Sequence, residues 1–220
     1  MSVSMRLLPV PIVVAGAFAV ALVRCQAVAQ HEEVGNRDDW QRPGAVMDAL
    51  HIGPGTRVAD IGAGTGYFTF HLAKRVGPAG RVYAVDVQQE ALADIGRRAS
   101  ADRLSQIITV RGTEEDPHLP PLSVDVVLVV NTYHELRAYD AMMEGFQRAL
   151  KRGGLLAIID CEAERGEPPD SYTQHHRVPS AAVRDEAIRN GFRFLRNEIG
   201  FVNPATPFSY WFFLVFERPS

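Results

Sequence analysis

A short apolar strand, Val58 to Ile61, runs straight into three glycines spaced Gly62-x-Gly64-x-Gly66 and then into an amphipathic helix that begins at Tyr67. Glycines at this spacing let the main chain turn through positive φ and bring a ligand close to backbone N–H groups, and the helix start behind them favours electron-rich atoms. The segment predicts a strand–turn–helix unit with a nucleotide-type ligand above it. The helix Tyr67 to Val76 stops at Gly77, and the next apolar run, Val82 to Val85, ends in Asp86, twenty residues beyond Gly66. A carboxylate at the tip of a second strand is placed to accept hydrogen bonds from the two hydroxyls of a ribose. The dinucleotide fingerprint G-x-G-x-x-G would need glycine where this chain has Tyr67, which disfavours a nicotinamide-dependent oxidoreductase.

Further apolar runs fall at Ile107 to Val110, Val124 to Val130 and Leu155 to Asp160, with helical patterns at Gln89 to Ala99, Tyr139 to Leu150 and Ser180 to Asn190. Strands and helices alternating in this way predict a parallel sheet with helices on both faces. The last two strands, Phe192 to Ile199 and Tyr210 to Glu217, are joined by a loop containing Pro204 and Pro207. No helix separates them, so they are expected to pair antiparallel. Upstream, residues 30–43 read as a polar, acidic linker and Gly44 to Leu50 as a short helix that opens a domain over 44–220.

These landmarks together resemble the class I S-adenosylmethionine-dependent methyltransferases, especially the small-molecule branch of ubiquinone and menaquinone C-methyltransferases. The resemblance runs from about Trp40 to Glu217, through Pro54-Gly55, Asp60 to Gly66, Gly80 to Asp86, the acidic Gly112 to Asp116, and Leu150 to Gly154. It implies S-adenosyl-L-methionine as cofactor and methyl transfer to a small-molecule acceptor. The implied fold is α/β and Rossmann-like, a doubly wound, mostly parallel seven-stranded sheet with an antiparallel last strand.

Residue by residue, the resemblance implies that Gly62, Gly64 and Gly66 pass under the cofactor's amino-acid portion and ribose. It puts Asp60 at the turn or, through water, at the cofactor's ammonium, Asp86 on the ribose hydroxyls, and Thr113 and Glu114 beside the adenine. The segment Asn131-Thr-Tyr-His-Glu135 faces the reactive methyl group in related enzymes, so Asn131, Tyr133 and His134 are the catalytic candidates. Many relatives carry an acid where this chain has Asn131, and an amide accepts a hydrogen bond but does not act as a base. His134 is then the expected proton acceptor, oriented by Glu135 if the turn brings the two together.

His175-His176, with His134 or Glu162, invites a metal reading. Adjacent residues rarely point at one centre and no ligand motif of recognised spacing accompanies them, so no metal is expected. His175, His176 and Arg177 are alternatively substrate-facing, and Trp40 and Tyr67 are candidate pocket walls.

With 220 residues, 46% of them hydrophobic, the chain suits one domain with a sizeable core. A net charge of −3 without a basic stripe disfavours nucleic acid as a partner. Residues 1–29 are of another kind: Arg6, an uncharged run from Leu7 to Val23, and the small-x-small pattern Ala27-Val-Ala29 read as a secretory signal or, alternatively, an N-terminal membrane anchor. Export would separate an enzyme from a cofactor made in the cytoplasm, and it keeps open a non-catalytic exported binding module on the same fold. Removal of that segment leaves Cys161 as the one cysteine, read as a small core residue.

Overall fold

The computed structural model describes residues 37–199, 201 and 210–220. The expected signal segment 1–29 and the proline loop 202–209 lie outside the described residues. Five strands of the sheet are parallel: β1 (Arg57–Ile61), β2 (Arg81–Asp86), β3 (Ile107–Arg111), β4 (Val124–Val130) and β5 (Leu150–Cys161). The chain then closes with β6 (Arg193–Asn197) and β7 (Trp211–Glu217), and β7 lies between β5 and β6, antiparallel to both. The order β3-β2-β1-β4-β5-β7-β6 reverses direction at β1 and β4. In open α/β sheets that reversal opens a crevice at the carboxyl ends of the strands.

Side-chain alternation sends one half of each strand to each face. Val58, Leu128, Ile159 and Phe213 meet α2 (Pro43–Ala49) and α3 (Tyr67–Val76), while Val82 and Ala84 extend that face beneath α4 (Gln89–Ala101). Val127, Val129, Ile158 and Phe216 meet α5 (Tyr139–Ala149) and α7 (Ser180–Arg189) on the other. Between β5 and α7 lies the short α6 (Tyr172–His175).

The fifth strand begins five residues earlier than its apolar run indicates. Leu150 pairs with Val124 and Leu155 with Val126, so Lys151 to Gly154 bulge out and Gly153, at φ 75°, makes the turn. The segment expected to be linker also differs. Arg37–Gln41 forms α1, and Pro43 starts the following helix. Trp40 and Gln41 are buried, with the Trp40 ring edge-on to Trp211 at 5.8 Å. The polar composition of this stretch hides one aromatic anchor, and that anchor docks the stretch on the sheet.

Candidate cofactor site

The glycine turn is built as its spacing indicates. Gly62, Gly64 and Gly66 have φ of 69°, 52° and 83°, in the left-handed region that side chains avoid. They serve different purposes. Above Gly64 an added Cβ meets only the Gly62 carbonyl at 3.9 Å, so this position opens onto free space. A Cβ on Gly62 would overlap Thr132 at the end of β4, and one on Gly66 would press into Phe70 and Ile95. Gly62 and Gly64 line the cleft, whereas Gly66 is buried and lets α3 pack against α4.

Asp86 stands at the carboxyl end of β2 and takes its orientation from the main chain. Its Oδ2 accepts the Gly64 N–H at 2.8 Å and its Oδ1 accepts the Gln88 N–H at 2.8 Å. Each carboxylate oxygen keeps a lone pair for a ribose hydroxyl. Beyond it, Val87, Thr113 and Glu114 continue the same wall, and Asn131 and Thr132 close it from the β4 side. The whole cleft has a volume of about 410 Å³ and is open to solvent. Asn131 sits there at φ 52°, a left-handed conformation that Asn tolerates better than most side chains, and its N–H is tied to the Ile159 carbonyl at 2.8 Å.

Asp60 does not reach the cleft. It faces α3 and its Oδ2 accepts the Thr69 hydroxyl at 2.6 Å. Burial raises its carboxyl to about 6, against the lowering effect of the Thr69 hydrogen bond. Its role is to hold the turn from beneath.

Two of the three catalytic candidates are likewise turned inward. The residues after Thr132 form a 3₁₀ turn, Tyr133–Glu135, which aims Tyr133 and His134 into the core and leaves Glu135 on the cleft wall. Tyr133 donates its hydroxyl to Glu186 at 2.5 Å, and burial first and this partner second hold the phenol far above its usual range. It remains a donor and buttresses α7. His134 is fully buried, and the Asp160 carboxylate accepts its Nδ1–H at 2.9 Å. Asp160, not Glu135, orients the ring. Asn131 alone of the three stands on the wall. The alternation of neighbours along a tight turn decides this, and the sequence signal for it was Asn131 itself, a residue type suited to positive φ where β4 ends.

Trp40, expected as a pocket wall, lines a second, smaller space with Gln41, Phe68, Val130, Ile159 and Trp211. Gln41 Nε2 and Trp211 Nε1 are buried there with no hydrogen-bond partner among the described residues. Tyr67 instead donates its hydroxyl to Asp38 at 2.6 Å, with the Arg37 guanidinium 3.9 Å from its ring centre, and so pins α1 to α3.

Residues 52–197 match the family described as "Methyltransferase domain". The chain belongs to that family. Among curated relatives, the "Ubiquinone/menaquinone biosynthesis C-methyltransferase UbiE" of Vibrio parahaemolyticus is 27% identical over 166 residues, covering 73% of this chain and 62% of the relative. The "Demethylmenaquinone methyltransferase" of Geobacillus stearothermophilus is 25% identical over 121 residues, covering 55% of this chain and 51% of the relative. The matches thus span about half to three fifths of the length of these relatives. A solved S-adenosylmethionine-dependent methyltransferase from Aquifex aeolicus superposes with a TM-score of 0.70 at 27% identity, over 82% of this chain and 92% of that one. The cofactor of this methyltransferase is S-adenosylmethionine, and the open space over Gly64, the oriented Asp86 carboxylate and the Thr113–Glu114 wall fit it.

Proposed function

We propose that this methyltransferase moves a methyl group from S-adenosylmethionine to a small, apolar or aromatic acceptor. The observation that carries the reading is one cleft that joins Gly62, Gly64, Asp86, Thr113, Glu114 and Asn131 at the switch point of the sheet. Bound there, the cofactor supplies a methyl group already activated on a sulfonium.

The chain's own residues supply alignment. Asp86, held by two main-chain N–H groups, accepts the ribose hydroxyls, and Asn131 offers an amide beside the reacting end. Val130, the last residue of β4, packs in the Trp40–Trp211 cluster, and Asn131, just past the strand, turns to the cleft. An aromatic acceptor agrees with the quinones named for the curated relatives. Fixing two reactants in line provides most of the acceleration such a transfer needs.

The test is calorimetry on the full-length chain with S-adenosylhomocysteine and with NAD, followed by transfer of labelled methyl to a panel of quinols and phenols. Binding of S-adenosylhomocysteine alone is expected, with label passing into an extractable product. Binding of NAD instead would overturn the cofactor reading, and label transfer only to charged, water-soluble acceptors would overturn the acceptor reading.

A further inference from the structure

Four side chains from three separate stretches of the chain, His134 and Glu135, Asp160, and His176, meet at the cleft wall. His134 and Asp160 are both wholly buried, and Asp160 lies on the same face of β5 as Ile158. Its carboxylate accepts the His134 Nδ1–H at 2.9 Å and is anchored by the Cys161 N–H at 2.7 Å. That hydrogen bond sets the tautomer, leaving the lone pair on Nε2, away from Asp160. Nε2 faces His176 Nδ1 at 3.2 Å and Glu135 Oε1 at 3.7 Å. The ligand atoms of His134, Glu135 and His176 all lie within 4.8 Å of one another.

We propose that His134, His176 and Glu135 form a divalent-metal site of the zinc class at the edge of the cofactor cleft, with Asp160 as the carboxylate behind the first histidine. The spacing is that of a coordination shell. Metal–nitrogen and metal–oxygen bonds of about 2.0 to 2.2 Å at tetrahedral angles put neighbouring ligand atoms about 3.3 to 3.5 Å apart. The separations of 3.2 Å and 3.7 Å from His134 Nε2 lie on either side of that range. Glu135, with 58% of its side chain exposed, closes the remaining edge by changing rotamer.

The backing of one imidazole by a buried carboxylate is the arrangement that fixes metal-binding histidines and raises their basicity. His176 follows directly on the short helix α6. At φ 54° it is the left-handed cap that ends α6. Its neighbour His175 turns away, with Nδ1 on Glu167 at 2.5 Å. Adjacent histidines do diverge here, and the ligand set draws on one of them together with a residue pair 41 and 42 positions upstream.

The hydrogen bond between the two ring nitrogens occupies the place the ion would take, and coordination through His176 Nδ1 moves its proton to His176 Nε2. Three protein ligands leave a position for water or for an oxygen of a bound molecule. Glu135 and Thr173 belong both to this corner and to the cleft wall, and Thr173 Oγ1 donates to the His134 carbonyl at 2.8 Å. The site stands on these side chains and not on the choice of acceptor.

Cobalt(II) titration of the metal-stripped full-length chain, read by visible d–d absorption, tests it. One ion per chain in a four-coordinate spectrum is expected, displaced by one equivalent of zinc. His176→Ala, a half-buried residue on a connecting segment, is expected to lose the bands, and Asp160→Asn to weaken affinity about 10- to 100-fold. Glu135→Gln, on the exposed side, is expected to weaken it about tenfold, a change that does not depend on the core surviving. His175→Ala is expected to bind as the parent does. No saturable binding by the parent, or wild-type affinity in folded His176→Ala, would overturn the site.

Discussion

Asp86 and Gly64 serve the same ligand by opposite means, one by offering lone pairs and the other by offering nothing. Asp86→Ala is expected to weaken S-adenosylhomocysteine binding by about 1.5 to 3 kcal/mol through lost charge-assisted hydrogen bonds. Gly64→Val is expected to be worse, because φ 52° is strained for a β-branched side chain and the free space above it would be filled. Calorimetry ranks the two, and a Gly64→Val chain that binds better than Asp86→Ala would remove the close approach. Asp60 gives a pH signature instead. Burial raises its folded pKa to about 6, against about 3.9 unfolded, so the folded state binds this proton more tightly. The stability it contributes is present below about pH 4 and is lost as pH rises through about 6. Asp60→Asn is expected to remove that decline, of about 2 to 3 kcal/mol, from urea unfolding curves measured across the range. An equally steep decline in the variant would assign it to other groups.

The elements around the site divide by what ties them down. The turn between β1 and α3 is legible because glycine spacing, strand and helix start agree locally. The short α1 is not, since five residues containing Asp38 and Asp39 have no apolar period of their own. Trp40 against Trp211, and Tyr67 against Asp38 and Arg37, dock it. Trp40→Ala is therefore expected to cost about 3 kcal/mol of stability, the usual loss for truncating a buried ring, while S-adenosylhomocysteine affinity changes less than in Asp86→Ala. Thermal and urea unfolding beside calorimetry read both. Stability within experimental error of the parent would return residues 37–41 to the linker expected from composition. The 3₁₀ turn Tyr133–Glu135 behaves similarly: its place after β4 is readable, but which of its side chains face inward depends on Asp160 and Glu186, contributed by other elements.

At the scale of the whole chain, the N-terminal pattern stands apart from the domain. We propose that residues 1–29 direct export and are removed, so that the mature chain begins at Gln30. Among the described residues no helix is long and apolar enough to cross a membrane. Intact-mass measurement on protein from its native host is expected to show a chain starting at Gln30, and a chain retaining Met1 in the soluble cytoplasmic fraction would sink the proposal. The sequence by itself determined the α/β alternation, the antiparallel closure, and the cofactor wall of Gly62, Gly64, Asp86, Thr113 and Glu114. All but two of those follow from a local rule (hydrophobic period, a helix-free connection, or glycine and carboxylate at strand tips), and Thr113 and Glu114 came from the resemblance to the methyltransferases. Only the tertiary structure decided that Gly66 is a packing glycine, that Asp60 and Tyr133 are braces, and that His134 meets Asp160, His176 and Glu135. The contacts of Asp60 with Thr69, Tyr133 with Glu186, and His134 with Asp160 and His176 join residues 9 to 53 positions apart, and no period or spacing along a chain encodes which side of a turn faces a partner that arrives from another element.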